Sequence, residues 1–468
     1  MARLRGATAG DHFMSNISAL PGAHQAGLGH LSSGRAKASI TGILWSLVNV
    51  SVSTILAILV FLVTSRILAP SDFGAVAFAV AMTTMVGALV PTAFGDALIQ
   101  RPDLDGDHLN AVFWLTGGIA VFGYAALSLL APLIANWSGV PLLAPILPVL
   151  ALRLVFDAGL TVPAALISRR MQFRYIALRT TVANGFGALI CLWMITQGYA
   201  LWALVFSQVA TSFVSLVVTV FAAGWWPRLT FKLAALGDLR SFGLYAMGSR
   251  ILNEARFDQF FLGLLLGPPV LGLFYFARRL YQMLLELTAG VFTPVTGVLM
   301  ASLQGDRLKR QDAYLTASYA SAGLAFPVFA GLFAIAPTAV PFVFGPQWTD
   351  AIFAVRCFSI IGMMAGLGVM QAALIRNLGR PDWWFWYQAV MQLSTIPIIL
   401  LLFPFGLNAI MVAIVLRTVI LWPVSVGMAQ RMLEMSLPAY LNSLRGPALG
   451  AAIMMLVVMQ LPGFWADR

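Results

Sequence analysis

Thr64-Ser-Arg-Ile-Leu-Ala-Pro-Ser-Asp-Phe-Gly-Ala-Val-Ala-Phe-Ala79 joins the first two long apolar segments of the chain. Its pattern returns at Leu262-Gly-Leu-Leu-Leu-Gly-Pro-Pro-Val-Leu-Gly-Leu-Phe-Tyr-Phe-Ala277. Without a gap, Leu68 aligns with Leu266, Ala69 with Gly267, Pro70 with Pro268, Phe73 with Leu271, Gly74 with Gly272, Phe78 with Phe276 and Ala79 with Ala277. Ala164-Ala-Leu-Ile167 likewise returns as Ala372-Ala-Leu-Ile375, with arginine close behind in both places. Two echoes in the same order, at nearly equal offsets, point to a duplicated unit of about two hundred residues.

Of the 468 residues, 60% are hydrophobic and only 10% charged, with mean hydropathy +0.88. A soluble domain carries roughly 25% charged residues, so the length is better counted in membrane spans. The net charge of +11 does not point to nucleic acid, because the basic residues fall in short clusters between apolar runs, as membrane orientation requires. Cys191 and Cys357 lie inside apolar segments and make neither a disulfide framework nor a metal set.

Thirteen segments approach or exceed the ~20 residues a spanning helix needs: 41–67, 73–98, 108–134, 140–167, 175–197, 200–223, 241–266, 270–300, 313–336, 349–376, 384–403, 405–428 and 438–461. A polytopic all-α membrane fold follows, since a helix satisfies its backbone groups internally. The duplication groups the segments into two six-helix lobes, 39–224 and 241–430, joined by a basic linker over 225–240. An extra C-terminal helix occupies 431–468, and a polar tail over 1–38 is expected to be disordered and cytoplasmic. An even number of helices per lobe makes the lobes parallel repeats, an arrangement found in alternating-access transporters. Alternate loops carry Arg101, then Arg169, Arg170 and Arg174, then Arg228, Lys232 and Arg240, then Arg307, Lys309 and Arg310, then Arg376 and Arg380, then Arg431. The loops between them are nearly free of Lys and Arg, which places the N-terminus and the basic loops in the cytoplasm.

Ionisable groups inside spans cost ~2.5–3.5 kcal/mol each on insertion scales, so each is a functional hypothesis. Arg153, Arg250, Arg256, Arg278 and Arg417 are the candidates for holding an anionic substrate in a cavity, because guanidinium forks match phosphate and carboxylate and stay charged. Arg250, Glu254 and Asp258 recur at i, i+4, i+8, and Arg153 and Asp157 at i, i+4. Internal ion pairs that fix helix packing are therefore the competing reading for Arg153 and Arg250. Arg256, Arg278 and Arg417 have no obvious partner at helical spacing. Arg66, Arg279 and Arg356 lie where they could instead reach the outer interface. Asp258 and Glu286 are the candidates for coupling transport to H⁺ or Na⁺, or alternatively for pairing with arginine. No metal site and no other cofactor is expected.

The Asp103-Leu-Asp-Gly-Asp107 run contains D-x-D, but no nucleotide-binding domain surrounds it and no Glu completes a calcium loop; a solvated loop is the better reading. The chain has no P-loop. His108 is the only histidine beyond the N-terminal tail, so no Ser/His/Asp or Cys/His catalytic set can be assembled.

Three stretches carry a resemblance: the Leu68–Gly74 turn, the Phe94-Gly-Asp-Ala-Leu-Ile-Gln-Arg101 exit, and the run from Asp258 through Gly267 to Ala277. They resemble the Wzx-type polysaccharide flippases of the multidrug/oligosaccharidyl-lipid/polysaccharide exporter superfamily, in its lipopolysaccharide, colanic-acid and exopolysaccharide branch. The likeness extends from about Ser39 to the C-terminus. It implies a non-enzymatic protein of the bacterial inner membrane that moves undecaprenyl-pyrophosphate-linked oligosaccharide from the cytoplasmic to the periplasmic leaflet by alternating access. It also implies a polysaccharide polymerase and a chain-length regulator as partners. Arg256, Asp258 and Arg278 match the charged start of the family's second lobe. Such proteins often have fourteen spans, whereas thirteen are read here. A drug/cation antiporter of the same superfamily is the first alternative, and the arginine excess argues against it. A membrane polymerase or ligase is the second, and the absence of a large far-side loop argues against that.

Overall fold

The computed structural model describes residues 53–101, 103–230, 254–289 and 307–460, together with positions 232, 237, 248 and 250–252. The expected tail, the opening of the first segment, half of the linker, most of the start of the seventh segment, the end of the eighth and the chain after 460 lie outside the described residues.

All regular elements among the described residues are helical. In chain order they are α1 (Ser53–Ile67), α2 (Pro70–Leu89), α3 (Phe94–Gln100), α4 (Gly106–Ser138), α5 (Leu143–Gly159), α6 (Thr161–Arg169), α7 (Phe173–Thr196) and α8 (Ala200–Ala223). There follow α9 (Phe257–Ala289), α10 (Arg307–Phe344), a 3₁₀ turn (Pro346–Ala351), α11 (Ile352–Asn377), α12 (Pro381–Leu393), α13 (Thr395–Leu402), α14 (Gly406–Leu433) and α15 (Leu437–Met459). Ten helical runs among these residues are long and apolar enough to cross a membrane, and α1 adds a shorter one. The polytopic helical fold is thus as the composition requires, with two kinds of local departure. The expected second span ends early, at Leu89, because Val90 turns extended (φ −71°, ψ 124°) ahead of Pro91; α3 is a separate short helix. The expected seventh and eighth segments meet inside α9, which is broken at Gly267 (φ 76°, ψ 173°).

The two echoed turns are built alike. Ala69 is extended (φ −74°, ψ 156°) and Pro70 opens α2. Gly267 ends one arm of α9, and Pro268 opens the other. A proline at the first helical position loses no intrahelical bond, and the positive φ of Gly267 needs a residue without Cβ. The second arm of α9 then crosses α2 face to face. Gly74 lies against the carbonyl of Pro268, and Gly272 lies against the carbonyl of Pro70. Each echoed glycine meets the echoed proline of the other copy, the reciprocity that a two-fold relation produces.

Around this crossing the core is aromatic. Trp348 is fully buried, stacked on Phe276 at 4.2 Å and edge-on to Phe73 at 5.2 Å; Phe61 stacks on Phe276 from the other side at 5.4 Å. Hydrogen bonds seal the same end. Arg66 donates to the carbonyls of Phe342 and Val343, both at 2.6 Å. Gln347 Nε2 and Trp348 Nε1 donate to the Ser65 carbonyl at 2.9 and 2.7 Å. The bundle is therefore closed at the end that carries the two Pro turns.

At the opposite end the basic loops do more than orient the chain. Arg169 donates to the Leu98, Ile99 and Arg101 carbonyls, and Arg170 to the Ala223 carbonyl at 2.9 Å. They cap the C-termini of α3 and α8, where the helix dipole favours cations. In the D-x-D run, Asp105 caps α4 by accepting from the Asp107 and His108 N–H groups, both at 3.0 Å. Asp107 pairs with Lys232, while Asn110 holds the segment after α8 by donating to Thr230 at 2.9 Å and accepting from the Arg228 N–H at 3.0 Å. Asp105 and Asp107 thus have structural roles in the loop.

Candidate functional site

Below the sealed end lies a cavity of about 820 Å³, walled by α1, α2, α5, α7, α8 and α9, with Gln392 of α12 at its edge. The Gly267 break creates one wall, because it folds α9 into two arms. Asp258 on the first arm and Arg278 on the second face each other and form an ion pair. At ~1.5 Å per residue both lie ~14–17 Å from the turn, deep within the span. Arg278 also lies 6.0 Å over the Phe274 ring. Its partner was hidden in the sequence, since the two residues are close only once the chain reverses at Gly267.

The candidate residues fall in different places. Arg153, Arg256, Arg278, Asp258 and Glu286 all line the cavity, and so does Arg279. Arg250 lies outside the described wall and pairs with the wall residue Glu254 at 2.7 Å. Arg153 donates to Gln208 Oε1 at 2.7 Å and to Ser212 Oγ at 3.3 Å, and approaches Asp157 at 3.9 Å. Both i, i+4 pairs therefore form, and Arg153 still contributes to the wall. Arg417 lies outside the described wall; it donates to the Met391 carbonyl at 2.6 Å and to the Thr395 hydroxyl, which ties α14 to the break between α12 and α13. Arg66 belongs to the sealed end, and Arg356 donates to the Phe333 carbonyl at 3.2 Å while lying over that ring.

The wall carries Arg153, Arg256, Arg278 and Arg279 against Glu254, Asp258 and Glu286. Arg250 answers Glu254 from beside it. With Arg250 and Asp157, the partners that lie just outside the wall, counted as well, five arginines face four carboxylates, so an excess of positive charge remains among the described residues. Such an enclosure favours an anion, and guanidinium forks favour phosphate oxygens.

Sequence reasoning missed two groups. Arg179 on α7 is close enough to Asp157 to act on it electrostatically; its place inside an apolar segment was the available signal. Ser207, Gln208, Thr211 and Ser212 form a polar face on α8 that lines the cavity, and their i, i+4 recurrence was likewise legible.

The comparisons agree with this architecture. The Lipid II flippase MurJ in an inward closed conformation superposes with a TM-score of 0.72 at 14% identity, covering 90% of this chain and 93% of that one; at this identity the likeness concerns the fold. The succinoglycan biosynthesis transport protein ExoT of Rhizobium meliloti is 25% identical over 372 residues, covering 77% of this chain and 73% of that protein. The lipopolysaccharide biosynthesis protein WzxC of Escherichia coli is 23% identical over 373 residues, covering 78% and 75%. A family model described as polysaccharide biosynthesis protein matches residues 63–353. With more than half of its length inside that model, and with the helices and cavity of a multi-pass membrane protein, the chain belongs to the polysaccharide biosynthesis protein family.

Proposed function

We propose that the protein is a flippase for undecaprenyl-pyrophosphate-linked oligosaccharide repeat units, serving lipopolysaccharide or exopolysaccharide assembly in the bacterial inner membrane. The observation that carries the reading is the cavity itself: a membrane-embedded enclosure in which arginines outnumber carboxylates, suited to the phosphates of a diphosphate diester. Membership of a polysaccharide biosynthesis family and the names of relatives such as ExoT and WzxC support it. The positive-inside pattern of the basic loops supports a cytoplasmic position for the end opposite the Pro turns and a periplasmic one for the sealed end. Two lobes, 39–224 and 241–430, would rock about the α2–α9 crossing to expose the cavity to each side in turn. The protein would act without catalysis, with Asp258 or Glu286 as candidates for H⁺ or Na⁺ coupling, and would hand its cargo to a polymerase and a chain-length regulator.

The test is to extract and quantify undecaprenyl-pyrophosphate-linked oligosaccharide from a strain lacking the gene, with and without its restoration. Accumulation of a complete repeat unit, cured by the wild type but not by Arg256→Ala or Arg278→Ala, is the expected outcome. Unchanged lipid-linked sugar with altered drug sensitivity would overturn it in favour of an antiporter.

A further inference from the structure

The cavity wall is divided by hydrogen-bonding chemistry as well as by charge. Its described residues from position 254 onward include all three carboxylates, three of the four arginines and no serine or threonine. Those before position 230 include no carboxylate, many hydroxyls and a single arginine, Arg153, which donates to Gln208 and Ser212. A hydroxyl has one proton to donate and two lone pairs to accept with. In four of them the proton is engaged: Thr64 donates to the Val60 carbonyl at 2.7 Å, Thr84 to Val80 at 2.7 Å, Ser207 to Leu204 at 3.1 Å and Thr211 to Ser207 at 2.8 Å. What these side chains have left for the cavity is acceptor lone pairs. Gly187 of α7 lets α8 pack this closely, since a Cβ there would collide with the Thr211 hydroxyl and come within 3.0 Å of the Ser207 carbonyl.

The opposite wall has the reverse character. Guanidinium groups donate and cannot accept. Of the three carboxylates, Glu254 is engaged by Arg250 and Asp258 by Arg278, while Glu286 sits exposed toward the end of α9. Phosphate diesters only accept, whereas sugar hydroxyls can donate. We infer that the cavity is a two-part site: the arginines of α9 take the diphosphate, and the acceptor row of Thr64, Ser207, Thr211 and Thr84 is a subsite for the hydroxyl groups of the sugar. The cargo therefore lies across the cavity, with its phosphates on the second half of the chain and its sugars on the first. This assignment rests on the flippase reading and adds to it the side from which the sugar is recognised.

The test uses the full chain in lipid nanodiscs and two probes, undecaprenyl diphosphate and the lipid-linked oligosaccharide that accumulates in the deletion strain. The wild type is expected to bind the sugar-bearing carrier the more tightly. Thr211→Val, which keeps shape and removes the acceptor, and Ser207→Ala should each weaken the sugar-bearing carrier by roughly tenfold and the bare carrier by less than about twofold. Thr211→Ser should restore the preference, and Arg278→Gln should weaken both carriers alike. Equal losses on both probes in Thr211→Val, no loss on either, or a wild type without preference for the sugar would overturn the subsite. Failure of the wild type to bind either carrier would overturn the flippase reading, and the subsite with it.

Discussion

Replacing Gly74 with alanine places a methyl group into the α2–α9 crossing. Its carbon would lie 2.5 Å from the Pro268 carbonyl carbon and 2.9 Å from the Pro268 Cα, where carbon atoms prefer ~3.5–4.0 Å. The obstacle is backbone at a helix start, with the Pro268 carbonyl oxygen nearer still, so no change of rotamer relieves it, and the helices must part by more than about 1 Å. Overpacking of this kind costs ~1–3 kcal/mol, and a rigid obstacle puts the expectation near ~3 kcal/mol. Gly272→Ala repeats the clash in mirror fashion, 2.7 Å from the Pro70 carbonyl carbon, and should cost about as much. Because one separation of the helices makes room for both methyl groups, the double variant should cost about as much as either single one, a strong departure from additivity. Denaturant unfolding of the four proteins in detergent measures this. Gly118→Ala, which meets nothing within 4 Å inside α4, serves as the control. A double variant whose loss equals the sum of the singles, or a single variant no worse than the control, would refute the reciprocal contact.

Two further outcomes are expected. Asp258→Asn leaves Arg278 without its counter-charge and should destabilise the protein by about 2 kcal/mol, whereas Asp258→Asn combined with Arg278→Gln should recover most of that loss; thermal unfolding of the three proteins decides, and an undiminished loss in the double variant would exclude the pair. The His108 backbone N–H, foremost among several contacts, holds the Asp105 carboxyl below the usual carboxylate range. Its stabilising contribution is then fully present above about pH 4 and is lost as pH falls through the lowered value. Asp105→Ala should remove that acid-side dependence from a melting-temperature profile and leave the neutral side level.

The helices were legible because spans must be long and apolar, and the repeat of the Pro-turn followed by Gly was legible as a duplication, but that the two copies cross face to face was not read from it. The second span was read too long, since its apolar character continues past Pro91 although its backbone cannot. Arg278 and Arg417 read alike in the sequence as deep arginines without local partners. Only the chain reversal at Gly267 brings Asp258 to Arg278, and only the break after Leu393 offers Arg417 the Met391 carbonyl. Trp348 could not be placed at all, because a turn residue becomes core only when Phe73 and Phe276 arrive from elsewhere in the chain.

The acceptors at the sealed end have one thing in common. The Ser65, Phe342 and Val343 carbonyls lie in the last turns of α1 and α10, where a helix leaves its carbonyls without internal partners. A seal made on such groups can be exchanged for solvent, since water satisfies a helix-end carbonyl almost as well as an arginine or a tryptophan does, and the net difference per bond is small. The closed end is thus tight while dry and inexpensive to hydrate. The resistance to parting resides instead in the rings that join the first helices to the later ones, Phe61 on Phe276 and Phe73 against Trp348, whose contact water does not replace.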